Sequence, residues 1–234
     1  MSDVKMYNPN DKDYIDDVLK KLEYQRKKSN TLFKGIVRTI LNGKIQDDLI
    51  SNIVTGTGRM FSAQKVFNTK LFSDTDYRSW SVTHFGFGQG GAVIVGSTAN
   101  IISPDGCDQD LNDPITMCDE TVQLGYLTSP GDSYKNVLQT PRSIKPIGIG
   151  NTSMLQASDI NCQYGQVHSY VRCNCIKSIG EPNYLQNDTD FIIINECGLF
   201  YSNLVNTRLF SHICFPPQNV QKKSEFVIEW YILC

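Results

Sequence analysis

The chain has no excess of positive charge. Its 234 residues carry 22 Lys and Arg against 24 Asp and Glu, a formal net charge of −2. A surface so balanced offers no general attraction to phosphate backbones or anionic bilayers, which argues against nucleic-acid and membrane-surface binding. The densest basic runs, Arg26-Lys27-Lys28 and Lys222-Lys223, are short and far apart. Long apolar runs are missing as well. The longest, Ala92-Val93-Ile94-Val95 and Phe191-Ile192-Ile193-Ile194, fall far short of the roughly 20 residues a membrane helix needs. The opening MSDVKMYNPNDKDY holds nothing like the apolar core of a signal peptide, so the expectation is a soluble product of a reducing cytoplasm.

Signatures of cofactor chemistry are also scarce. Eight cysteines stand at 107, 118, 162, 173, 175, 197, 214 and 234, and no two form the Cys-x-x-Cys knuckle of structural zinc. Cys173 and Cys175 share a face if their segment is extended. A disulfide framework suits small secreted chains, so these cysteines read as small buried apolar residues. Gly86-Phe87-Gly88-Gln89-Gly90-Gly91 lacks the Gly-Lys-Ser/Thr ending of a phosphate loop and reads as a tight turn or a close backbone approach. His84, His168 and His212 show neither His-x-x-x-His nor His-x-His spacing and read as unrelated. Cys214 with His212 or His84 is a conceivable nucleophile and base, but 212 and 214 share a strand face merely as neighbours. Asp105, Asp108, Asp110 and Asp113 crowd one segment without calcium-loop spacing and read as ordinary loop aspartates. No catalytic, cofactor-binding or metal-binding residue is expected, no cofactor, and no small-molecule ligand.

What is present is 40% hydrophobic and 20% charged residues, enough for a packed core. Over residues 12–28, Ile15, Val18, Leu19 and Leu22 recur at helical spacing, with acidic residues early and basic ones late. This predicts an amphipathic helix whose narrow apolar stripe docks on something, a candidate assembly surface. Residues 31–41 and 44–54 flank Asn42-Gly43, the strongest short hairpin signal, and a second helix is predicted over 58–72. Further strands are predicted over 82–88, 166–179, 190–200, 208–215 and 225–233, with Pro216-Pro217 and the polar residues to Ser224 as a connection. In the last strand Phe226, Ile228, Trp230 and Ile232 make one apolar face, while the other is mixed and open to cover by a partner. The stretch 97–161 is weakly periodic and is expected to add little to the core. Asn195-Glu196-Cys197-Gly198-Leu199-Phe200 follows an apolar strand. Glu196 as a general base lacks a convergent acid, so Asn195 and Glu196 are expected to satisfy backbone groups at a bulge that Gly198 allows.

Asn195 to Phe200, then Arg208-Leu209-Phe210-Ser211-His212-Ile213-Cys214-Phe215-Pro216-Pro217, Lys222-Lys223-Ser224 and the terminal strand with Trp230 resemble the C-terminal half of a family of bacteriophage virion proteins. Those proteins carry N-E-x-G-L-F and a last strand like L-x-I-x-W-x-I-x-F. Ser51-Asn52-Ile53-Val54-Thr55-Gly56-Thr57-Gly58-Arg59 resembles the family's N-x-V-T-x-x-G-R turn into a helix, and His84 to Gly91 its next strand and Gly-rich turn. The four pieces occur in the family's order across residues 31–234, with the helix at 12–28 and the loops over 97–161 outside the match. Cys197 and Cys234 depart from the usual small and aromatic residues. The resemblance implies a structural component of tail, neck-collar, baseplate or fibre attachment, assembled in the host cytoplasm and carried in the virion, with other virion proteins and its own copies as partners. Cyclic symmetry is the expectation for such an oligomer.

The expected architecture is α+β and mainly β, an antiparallel β-sandwich-like domain over 31–234 behind a helical arm over 1–30. Asn195, Glu196, Gly198, Leu199, Phe200 and Trp230 are the structural motif. Two rivals stay open. One is a receptor- or glycan-binding module using Tyr7, Tyr14, Tyr24, Tyr77, Tyr126, Tyr134, Tyr164 and Trp80. The other is a tail-associated hydrolase, which needs two carboxylates in a cleft or an oriented Cys-His pair.

Overall fold

The computed structural model describes residues 34–51, 53–67, 81–115, 144–146, 156–157, 161–163, 166–168, 170–182, 184–202 and 207–233, and in addition 17, 20, 21 and 24. It is mainly β, and every strand pairing is antiparallel. Contacts group the chain into two compact units interleaved in sequence, one of residues 1–52, 147–179 and 224–234, the other of residues 53–146 and 180–223. The sequence alone suggests one domain over 31–234.

The first unit contains β1 (Lys34–Leu41), β2 (Lys44–Ser51), β8 (Gln156–Ala157), β11 (Tyr170–Lys177) and β14 (Phe226–Leu233), in the sheet order β2-β1-β14-β11-β8. Asn42 and Gly43 turn β1 into β2 with φ of 48° and 74°, the left-handed pair a two-residue hairpin needs. The Asn42 side chain also fixes where β14 begins. Its Oδ1 accepts the Glu225 amide at 3.0 Å and its Nδ2 donates to Ser224 Oγ at 3.2 Å.

β14 lies between β1 and β11, with Trp230 opposite Val37 and Cys173, and all of these are fully buried. The second face is buried within the chain too, since Val227, Glu229 and Tyr231 are as enclosed as Phe226 and Ile228. A central strand covered on both sides explains why its sequence is nearly continuous apolar residue. Arg38 and Asn174 flank Glu229 in the register, so three buried polar residues cross the sheet in one row. Arg38 Nη2 also lies 3.5 Å from Asp17 Oδ2. Asp17, Lys20, Lys21 and Tyr24 are in helical backbone. The predicted stripe of Ile15, Val18, Leu19 and Leu22 lies outside the described residues.

The second unit is built on β3 (Ile53–Val54), β4 (Ser81–Gly88), β7 (Ile144–Pro146), β12 (Phe191–Ser202) and β13 (Thr207–Gln221), in the order β3-β13-β12-β4-β7. A hairpin of β5 (Ala92–Val95) and β6 (Thr98–Ile101) forms a separate two-stranded ribbon. In the first unit, the short strands β9 (Asn161–Gln163) and β10 (Gln166–His168) pair with each other.

β13 corrects one expectation. Pro216 and Pro217 lie inside a strand that runs on to Gln221 and do not open a connection. Ile194 pairs with Gln218 and Glu196 with Cys214, so residues 215–217 face Asn195 alone. At that bulge no ladder hydrogen bond is required of proline.

Helix α1 (Gly56–Phe67) starts two residues before its predicted position, and 68–72 lie outside the described residues. Thr55 is its cap: Oγ1 accepts the Gly58 amide at 3.0 Å and donates to the Leu209 carbonyl at 2.9 Å. Gly58 passes so close to β13 that a Cβ would stand 2.2 Å from the Phe210 carbonyl oxygen. The Thr-x-x-Gly pattern thus caps the helix and presses its first turn onto the sheet. Phe61 then stacks on Tyr201 at 4.7 Å and meets Phe210 edge-on at 5.9 Å. No described helix is long and apolar enough to cross a membrane.

Candidate functional site

The residues of interest all belong to the second unit and meet on one face of β12 and β13. Glu196 and Cys214 are cross-strand partners, and His212 lies two residues from Cys214 on the same face. Room for large polar groups there comes from glycine. A Cβ on Gly88 would stand 2.2 Å from Glu196 Oε1, and one on Gly198 would stand 2.6 Å from Leu209 Cδ1 and 3.1 Å from Leu111 Cδ2. Gly198 is therefore a close approach, with no positive φ.

The segment 102–114 closes over this face. Leu111 and Ile115 are buried, so this part of the weakly periodic stretch belongs to the core, contrary to the expectation from its composition. Its fastening is the Glu196 carboxylate. Oε1 accepts the amides of Gly90 at 3.0 Å and Asp113 at 2.8 Å, and Oε2 accepts the amide of Asn112 at 3.0 Å. Asn195 acts alongside, its Oδ1 accepting the Gly91 amide at 2.7 Å. The Gly-rich turn and the Asn-Glu pair, separate in sequence, are thus halves of one structure.

His212 joins two carboxylates. Its Nδ1 lies 2.7 Å from Asp108 Oδ2 and its Nε2 lies 3.0 Å from Glu196 Oε2. Cys214 Sγ is 3.8 Å from the same Nε2. Glu196, His212 and Cys214 are all buried, while the Asp108 side chain is 21% exposed. Asp108 is itself braced, since its Oδ2 accepts the Asp105 amide at 2.9 Å.

Burial alone pulls the His212 pKa down, but hydrogen bonds to Cys214, Glu196 and Asp108 outweigh it and raise the pKa to about 10. Burial likewise pushes Glu196 up, and the hydrogen bonds from His212, Asp113 and Asn112 reverse this and hold it below the usual carboxylate value. At neutral pH the arrangement is an imidazolium between two carboxylates. Such a group donates from both nitrogens and has no lone pair with which to take a proton from the Cys214 thiol. The sequence of Sγ, Nε2, Nδ1 and Oδ2 follows the layout of nucleophile, base and orienting acid, yet Glu196 stands nearer to Nε2 than the sulfur does. The arrangement locks segment 102–114 to two strands with an enclosed ion cluster.

Of the expected motif, β12 carries Asn195, Glu196, Gly198, Leu199 and Phe200 in this unit, while Trp230 belongs to β14 in the other. Among the four clustered aspartates, Asp108 alone reaches His212; Asp113 enters through its backbone amide. His84 is buried on β4, and the side chain of His168 lies outside the described residues. The His212–Asp108 contact spans 104 residues, and no spacing signal announces it. The single hint in the sequence is that His212 and Cys214 share a strand face; that Glu196 lies across from them is set by the register of β12 against β13.

A different feature stands out at the surface. In the β5–β6 hairpin Val93, Ile94 and Val95 are 52%, 59% and 63% exposed, and Ile101 on the return strand is 48% exposed. Neighbouring residues of a strand point to opposite faces, so both faces of the ribbon present apolar side chains.

No family model matches the chain, and no curated protein or solved structure is significantly similar to it.

Proposed function

We propose that the chain is a structural subunit of a bacteriophage virion, in the tail, neck-collar, baseplate or a fibre junction, and that it acts through protein–protein contacts. The observation that carries the reading is the β5–β6 hairpin, with Val93, Ile94 and Val95 all more than half exposed. The hairpin rests against β13 but pairs with no third strand among the described residues, and contiguous exposed apolar residues mark a surface meant to be covered. Its open strand edges suit addition to a strand of a neighbouring subunit, where backbone hydrogen bonds and apolar side chains act together. The resemblance of four short segments within residues 31–234 to phage virion proteins supports the same reading, as does an interior in which Glu196 and His212 hold structure together. A sandwich-like arrangement and an amphipathic N-terminal helix serving as a second contact surface belong to this proposal, as do a ring of identical copies and residence in the virion.

Replacing Ile94 and Val95 together by Asp tests it. Both side chains are exposed, so unfolding stability should change by no more than about 0.5 kcal/mol. The variant should fail to enter particles when it replaces the wild-type protein in infected cells. Wild-type incorporation of a folded double variant would remove the hairpin from the assembly interface.

The buried Cys214–His212–Asp108 series is the one observation that favours a hydrolase instead. That reading requires alkylation of Cys214 by iodoacetamide in the folded protein. Protection of the thiol supports the structural assignment.

A further inference from the structure

The enclosed cluster in the second unit has a second property that its role as an ion pair does not use. Glu196, His212 and Cys214 each offer one metal-ligating atom, and the three atoms lie within 4.8 Å of one another. His212 Nε2 is 3.0 Å from Glu196 Oε2 and 3.8 Å from Cys214 Sγ. A zinc ion held at about 2.0–2.3 Å from nitrogen, oxygen and sulfur keeps such donors roughly 3.3–3.6 Å apart, so small side-chain rotations bring all three to bonding distance.

From this proximity we infer that Glu196, His212 and Cys214 bind one divalent transition-metal ion of the zinc class, with Asp108 as the orienting carboxylate behind the imidazole.

Three features of the cluster support the assignment. The donors come from a rigid frame, since Glu196 and Cys214 are paired across β12 and β13 and His212 is on the same face. The second ring nitrogen of His212 is already held by Asp108 Oδ2 at 2.7 Å, the carboxylate–histidine arrangement that fixes the tautomer of a metal-bound imidazole. The Glu196 carboxylate is likewise held by the amides of Gly90, Asn112 and Asp113, so its direction is set before any ion arrives. The donor set also selects the ion. Thiolate and imidazole favour zinc and its neighbours over calcium or magnesium, which take oxygen ligands. With three protein donors, the fourth position of a tetrahedral ion falls to water. The ion would tie segment 102–114 to the sheet through Asp108 and Glu196 together. This inference rests on the geometry of the cluster and is independent of the assembly reading.

The test uses the full chain produced in minimal medium supplemented with Co2+, so that the buried site fills as the protein folds. Wild-type protein should carry one cobalt per chain and show a thiolate-to-cobalt charge-transfer band with the visible bands of a tetrahedral ion, and Zn2+ in the medium should compete. Cys214→Ala should fold normally by circular dichroism and lose the charge-transfer band. Cys107→Ser, which alters an exposed thiol outside the cluster, should keep it. Asp108→Asn should retain the band but lose cobalt faster to a chelator. Absence of cobalt from the wild type, a band that survives in Cys214→Ala, or a band lost in Cys107→Ser would each overturn the assignment.

Discussion

Replacing Glu196 by Gln changes one oxygen for an amide group of the same size, and the structure shows why that small change should be costly. The carboxylate accepts four hydrogen bonds: from Gly90 and Asp113 on Oε1, and from Asn112 and His212 on Oε2. A glutamine has one acceptor oxygen, so in either orientation two of these donors face an NH2 group. Hydrogen bonds to a charged acceptor are worth about 1.5–3 kcal/mol each, and removing one partner of a buried ion pair costs about 3–5 kcal/mol. The two figures describe overlapping losses. A destabilisation on the order of 3–5 kcal/mol is expected, concentrated where segment 102–114 meets the sheet. Equilibrium urea unfolding with a chelator present measures it as a lower midpoint at unchanged slope. Hydrogen exchange should show the amides of Gly90, Asn112 and Asp113 losing protection first. A loss below about 1 kcal/mol, with those amides still protected, would refute the claim that Glu196 fastens this segment.

The same cluster gives the metal-free protein a pH signature. The His212 pKa is raised from 6.5 to about 10 on folding, so its stabilisation is complete below the unfolded value and is lost as pH rises from 6.5 to about 10. Glu196 is lowered from 4.5, so its contribution is present above that value and is lost as pH falls through the folded pKa. Unfolding free energy should therefore peak between pH 4.5 and 6.5, and His212→Gln should flatten the alkaline limb; an unchanged alkaline slope would count against the buried imidazolium. Trp230→Ala should open a cavity in the centre of the first sheet and cost about 3–5 kcal/mol, and a thermal midpoint close to wild type would show that the site collapses or is not core. Gly58→Ala should prevent α1 from seating on β13, because its Cβ would meet backbone oxygen at 2.2 Å; a soluble variant with a wild-type urea midpoint would contradict that close approach.

Local chemistry was the legible part of this fold. Asn42-Gly43 announces its turn because both residues must adopt positive φ, and the structure places them at 48° and 74°. The helix after Gly56-Thr57-Gly58 is legible to within two residues of its start, whereas its capping by Thr55 and the contacts of Thr55 and Gly58 with β13 could not be read from neighbours in sequence. The apolar alternation of β14 shows a strand but not its central position, which depends on β1 and β11 arriving on either side. Pro216-Pro217 misleads for a physical reason: proline is barred from a regular ladder, and the sequence does not reveal a bulge that removes the ladder. The cluster was least visible. Its members lie at 108, 196, 212 and 214, and only the register of β12 against β13 and the path of segment 102–114 bring them together. Asp108 was one of several loop aspartates with equal claims until that path was known.

The assembly reading stands or falls on whether the protein is part of the particle. If the chain is a virion subunit as proposed, quantitative mass spectrometry of density-purified phage particles measures this directly. Full-length chain is expected in a fixed copy number per particle, matching the order of a rotation axis or a multiple of it. Its absence from purified virions, in infections where the cell lysate contains it, would contradict the structural role outright.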